Sequence, residues 1–175
     1  MSRAQFDIRD IKVLDPFDVR LERTSWPHLF MALIDMTSEW TWGPGHRNRI
    51  TVKRFYQCDG ASIPFRFYDV VDPITALVGA MRVHDPLYQT QVGQRPSPLV
   101  VLEGPLPPVD DLRAFADALL YSFWLDSGMS EEMALRGYRA VRLFGGDAWE
   151  SEEMDPTDES LSELMMAVES PGLGL

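Results

Sequence analysis

Three short stretches hold the residues able to do chemistry: Asp59-Gly60-Ala61-Ser62-Ile63-Pro64, His84-Asp85-Pro86-Leu87-Tyr88 and Ala116-Asp117. Each sets polar, titratable side chains inside a segment otherwise suited to burial. Brought together, two carboxylates and an imidazole can hold a hard cation and activate a water.

Taken singly, each has a plainer reading. Asp59-Gly60 is an ordinary turn pair, because glycine tolerates positive φ. The same loop also offers a carboxylate and close-lying carbonyl oxygens, the ligand mixture that calcium favours. His84-Asp85 falls near the end of an amphipathic run. On an α-helix adjacent residues point about 100° apart, so the two are expected to face neighbouring surfaces rather than pair. Tyr88 lies four residues after His84 and three after Asp85, where its hydroxyl can brace either. A capped helix end with a satisfied core histidine fits the same residues. Asp117 borders an apolar stripe, and buried there unpaired it would cost several kcal/mol. Its partner is either Arg113, four residues earlier, or an imidazole from the preceding helix. In the second case the carboxylate fixes the ring's tautomer and leaves the other nitrogen as base.

The elements that must position these residues fall into two halves. The first third reads as β structure. Phe17, Val19 and Leu21 alternate with Asp18, Arg20 and Glu22, and 49–56 alternates again. An earlier strand ends at Asp15-Pro16, Leu29 to Ile34 forms a short buried strand, and Trp42-Gly43-Pro44-Gly45 is a turn. His46 reads as an exposed loop histidine.

The remainder reads as helix. One helix opens at Pro73, with Asp72 as N-cap, and should kink or stop near His84-Asp85, because Pro86 removes a donor and clashes with the Arg82 carbonyl. Residues 91–109 form a Pro-rich surface loop, with Leu99 to Leu102 extended. A second helix runs from about 108 to 127, with Leu112, Phe115, Leu119 and Phe123 as its main stripe. A third runs from Ser130 to Gly145-Gly146. The expectation is an α+β fold: N-terminal antiparallel β segments followed by a bundle of three to four helices. Residues 1–146 make the domain. Residues 147–175 make an acidic linker, with seven acids in Asp147 to Glu159, and a short amphipathic helix over 160–169.

Composition narrows the function classes. At 175 residues and 45% apolar, the chain can bury a real core. A single cysteine, Cys58, allows no internal disulfide and reads as a buried hydrophobe. The first 100 residues carry 12 basic and 11 acidic side chains, the last 75 carry 4 and 16. That acidic second half disfavours nucleic acid. No apolar run is long enough for a transmembrane segment, and the N-terminus lacks a signal peptide's apolar stretch. Three histidines without paired cysteines give no familiar zinc spacing.

The ordered set of D-G-A-S-I-P, H-D-x-L-Y, A-D and a last aromatic helix ending in F-G resembles the bacteriophage and prophage family called domain of unknown function 1353, over roughly residues 49–146. That resemblance implies a phage or prophage origin and a virion or host-cytoplasm location. Other virion proteins would be its partners, reached through the helix at 160–169. More distantly, the order is similar to secreted bacterial and fungal phospholipases A-two, which carry D-G-C-S, H-D-x-x-Y on a helix and an Asp on the next. This likeness implies calcium held by Asp59, Asp85 and the Gly60 carbonyl. His84 would be the base, Asp117 would orient it and Tyr88 would support the site, with an envelope ester or phospholipid as substrate. Here Ala61 stands where those enzymes have a cysteine, and Pro86 interrupts the critical pair. The alternative is a structural component of a tail, baseplate or connector, in which the same residues form a polar network.

Overall fold

The computed structural model describes residues 6–23, 29–58, 73–108 and 112–150. Two antiparallel sheets form the N-terminal part and the helices follow, a mixed α+β architecture. Strands β1 (Arg9–Val13), β4 (Met36–Trp42), β5 (His46–Val52) and β7 (Val100–Glu103) make a four-stranded sheet in the order β1-β4-β5-β7. Strands β2 (Val19–Arg23), β3 (Leu29–Ala32) and β6 (Gln57–Cys58) make the second, in the order β2-β3-β6.

The centre of the larger sheet is β4, whose pattern the sequence hides. Met36, Ser38 and Trp40 face inward, opposite Val52, Ile50 and Asn48 of β5. The inward serine breaks the apolar period that would announce a strand. The outer face pairs Glu39 with Arg49 and Thr37 with Thr51. β7 is the extended piece expected at Leu99 to Leu102 within the Pro-rich loop. Its Val100 and Leu102 pair with Val52 and Ile50 and extend the sheet. The β4–β5 turn is formed by Gly43 (φ 51°) and Gly45 (φ 101°). His46 is not a loop residue: it opens β5 and packs on the Trp42 ring at 4.8 Å, which leaves it half-buried.

The first helical stretch does not break at Pro86. Helix α1 (Pro73–Gly79) passes into a π-helical turn, Ala80–His84, and then into α2 (Asp85–Gln89). The Asp85 N–H bonds the Ala80 carbonyl five residues back. One wide turn thus absorbs the donor that Pro86 lacks, and the chain stays helical through the proline. After the central helix α3 (Leu112–Asp126) comes α4 (Glu131–Phe144), capped by Ser130, which accepts from the Met133 N–H. The run expected to be linker from Asp147 instead starts inside a short helix, α5 (Gly146–Glu150). The segment 160–169 lies outside the described residues.

α3 organises the core. From Phe115 to Trp124 every side chain is buried, so the helix has no wet face. Phe115, Leu119 and Phe123 pack with Trp40 and Ile50 of the sheet. Leu120, Tyr121 and Trp124 pack with Ala76, Ala80, Ala134 and Tyr138 from α1, the π-turn and α4. Trp124 is wedged between two glycines. A Cβ on Gly79 would lie 2.8 Å from its Nε1, and one on Gly137 would lie 2.5 Å from its Cζ3.

Candidate functional site

Two turns before Trp124 on the same helix, Asp117 sits fully buried and collects donors from three other positions. His84 Nε2 lies 3.1 Å from its Oδ1, the Tyr88 hydroxyl donates to that oxygen at 2.6 Å, and Arg142 Nη1 donates to Oδ2 at 2.8 Å. The π-turn delivers the imidazole, α2 the phenol and the last turn of α4 the guanidinium. The imidazole's other nitrogen, Nδ1, lies 3.1 Å from Asp85 Oδ1. Thus His84 and Asp85 do pair, contrary to the α-helical expectation. With hydrogen bonds reaching five residues back, a π-turn has more residues per turn than an α-helix. Consecutive side chains leave it at less than 100°.

Arg113 braces the cluster from outside. Arg113 Nε donates to the Tyr88 hydroxyl at 3.3 Å, and its Nη2 bonds the Val141 and Arg142 carbonyls at 3.2 and 2.9 Å. Arg113 is therefore not the partner of Asp117. It holds the phenol and caps the α4 C-terminus, where a cation is favoured by the helix dipole. The Tyr88 ring stacks on His84 at 4.1 Å. Gly145 leaves it room, since a Cβ there would fall 2.8 Å from the hydroxyl oxygen.

The cluster is nearly closed to water: His84 is 3% exposed, Tyr88 6%, Asp85 7% and Asp117 0%. Burial alone would push the His84 pKa down. The hydrogen bonds and charges of Asp117 and Asp85 outweigh it and hold the pKa at about 9, so the ring is an imidazolium at neutral pH. Burial would likewise raise the Asp117 pKa, but its bonds to His84, Tyr88 and Arg142 keep it below the usual carboxylate range. Tyr88 is pushed up, first by burial and then by the Asp117 charge. Burial would lower the Arg142 pKa, but its hydrogen bond to Asp117 and the charge of that carboxylate together outweigh it and push the pKa up.

Of the residues singled out from sequence, His84, Asp85, Tyr88 and Asp117 meet in one place. Asp59 and Gly60 lie outside the described residues. Arg142 was missed. Its signal was present in the sequence, a basic side chain in the final turn of a helix, one turn after Tyr138 on the stripe that faces α3.

The donors described do not by themselves suit a divalent ion. Calcium takes about six to eight oxygens, and no three His, Cys, Asp or Glu side chains are gathered as a metal site among the described residues. Asp117 is already engaged by three donors. Asp85 is a single carboxylate facing a protonated ring. Within the described residues, the bonds among His84, Asp85, Asp117 and Arg142 set buried charges of opposite sign against one another.

The fold and this cluster define an α+β domain with a buried His–Asp–Asp ion network between helices. The chain belongs to the family described as Protein of unknown function (DUF1353), whose model matches residues 24–141. The match starts in the β half, earlier than residue 49, and takes in the strands from β3 onward. No curated protein and no solved structure matches the chain. No helix among the described residues is long and apolar enough to cross a membrane.

Proposed function

We propose that the protein is a structural component of a phage or prophage particle, and that its cluster is an ionic lock joining three helical segments. One observation carries the lock: both ring nitrogens of His84 are bonded to carboxylates in a setting almost without water. A general base needs a free nitrogen beside the proton it removes. Here Nδ1 faces Asp85, Nε2 faces Asp117 and the ring keeps its proton. The particle setting is supported by the resemblance of the three motifs to phage and prophage proteins. The acidic stretch after Glu150 and the amphipathic run at 160–169 would be the arm that reaches a neighbouring particle protein.

A hydrolase is the second reading, favoured by the convergence of His84, Asp85, Asp117 and Tyr88 from separate segments. It assigns the base to His84, its orientation to Asp117, support to Tyr88, calcium to Asp59, Gly60 and Asp85, and an envelope ester or phospholipid as substrate.

Fatty-acid release from phosphatidylglycerol vesicles, with calcium and with chelator, separates the two. The lock predicts no release under either condition and a markedly lower melting temperature for His84→Ala. Calcium-dependent release that His84→Ala abolishes without changing the melting temperature would overturn it in favour of the hydrolase.

A further inference from the structure

We propose that α5 is a removable strap that closes the ion cluster against water, with Trp149 as its fastening. This rests on the reading of the cluster as a buried lock and adds what controls access to it. Trp149 meets the Tyr88 ring edge-on at 5.1 Å, and Tyr88 is the residue that both covers His84 and bonds Asp117. The Trp149 carbonyl accepts from Gln91 Nε2 at 3.0 Å, and the Trp149 N–H donates to the Gly145 carbonyl at 3.0 Å. One aromatic contact, one polar contact and the packing of Trp149 on the edge of the core thus hold a five-residue helix against the outer partner of the cluster.

The receiving side is strained. Gln91, Val92 and Gly93 are three consecutive left-handed residues, with φ of 44°, 54° and 85°. A β-branched residue in that region is sterically disfavoured and persists only where its surroundings over-determine it. Val92 is fully buried, and its N–H bonds the Leu87 carbonyl at 2.7 Å. A relaxed turn would carry Gln91 away. The strain is kept at the point that presents the Gln91 amide to Trp149. The strap itself is thinly held, because five residues make no stable helix alone. The chain beyond it carries Glu152, Glu153, Asp155, Asp158 and Glu159, a composition that favours solvation.

Proton NMR of the full chain near neutral pH reads the idea directly. The imidazolium N–H protons of His84, assigned through their proximity to the Tyr88 ring, exchange with water only when the cluster opens. Trp149→Ala keeps the backbone carbonyl that Gln91 bonds and removes the aromatic contact, so it should raise that exchange rate about tenfold. Trp149→Phe, which keeps an edge contact, should stay near wild type. Gln91→Ala, which removes only the polar fastening, should fall between and decides the matter if Trp149→Ala does not fold. Wild-type exchange in a folded Trp149→Ala protein would overturn the strap alone. Fast exchange in the unmodified protein would overturn the buried lock itself.

Discussion

α3 is joined to its neighbours at two places, two turns apart, and the two joints are built on opposite principles. At Trp124 the joint is shape: an indole fills the space left by Gly79 on α1 and Gly137 on α4. At Asp117 the joint is charge: a carboxylate draws in His84 from the π-turn and Arg142 from α4. Both connect the same helical segments in the same antiparallel order. The shape joint depends on contact distances and is indifferent to protons. The charge joint is strong only while its members stay ionised, so it alone can be opened by pH or by a competing ion.

Removing the centre of each joint should have the largest effects. Asp117→Ala leaves an imidazolium and a guanidinium facing each other with no carboxylate between them, which costs about 3–5 kcal/mol. Trp124→Ala empties a buried indole site and costs about 3–5 kcal/mol as well. Denaturant titrations at several pH values tell them apart. Asp117→Ala should flatten the pH dependence of stability, whereas Trp124→Ala should lower the curve without changing its shape. Parallel curves for both variants would dissolve the contrast.

The unmodified protein should show the charge joint's signature. His84 has its pKa raised from 6.5 to about 9 on folding. Its contribution is therefore fully present below about pH 6.5 and is lost as pH climbs through 9. The loss amounts to about 3 kcal/mol. Asp117, with its pKa lowered, contributes above the ordinary carboxylate range and loses its share as pH falls through it. The two describe one shared interaction, so their contributions do not add. Stability should be greatest between roughly pH 4 and 6.5. A melting temperature unchanged from pH 6 to pH 10 would show that the ring is not held between two carboxylates.

The two joints also differ in how legible they were. His84, Asp85, Tyr88 and Asp117 stand out in the sequence because ionisable groups in apolar segments need a reason to be there. The bond between His84 and Asp117 was one of the two readings open for Asp117, but the pairing of His84 with Asp85 was not expected, because it depends on the π-turn, and a π-turn leaves no periodicity to read. Arg142 hid as an ordinary basic residue at a helix end. The Trp124 joint was harder still. Nothing in the local sequence marks Gly79 or Gly137, since glycine inside a helix is only a weak position, and their purpose exists only once three segments are packed. In the sheets, β2 and β5 followed from alternation and β1 and β3 from short apolar runs, while β4 was lost to the inward Ser38. Most of the fold class was written in local pattern, and most of the site's geometry in tertiary contact.

The mildest change sharpens the comparison furthest. Gly137→Ala adds one methyl, and helix propensity favours it by about 1 kcal/mol. Yet the new Cβ would stand 2.5 Å from Trp124 Cζ3, and the indole cannot retreat because Gly79 lies against its other edge. Overpacking of this kind costs about 1–3 kcal/mol. The net should be a loss of about 1 kcal/mol, carried entirely by the shape joint. The His84 pKa, read by histidine NMR titration, should stay where it is. A pKa that moves with Gly137→Ala would mean that α4 transmits a shift from one joint to the other, and that shape and charge act here as a single unit.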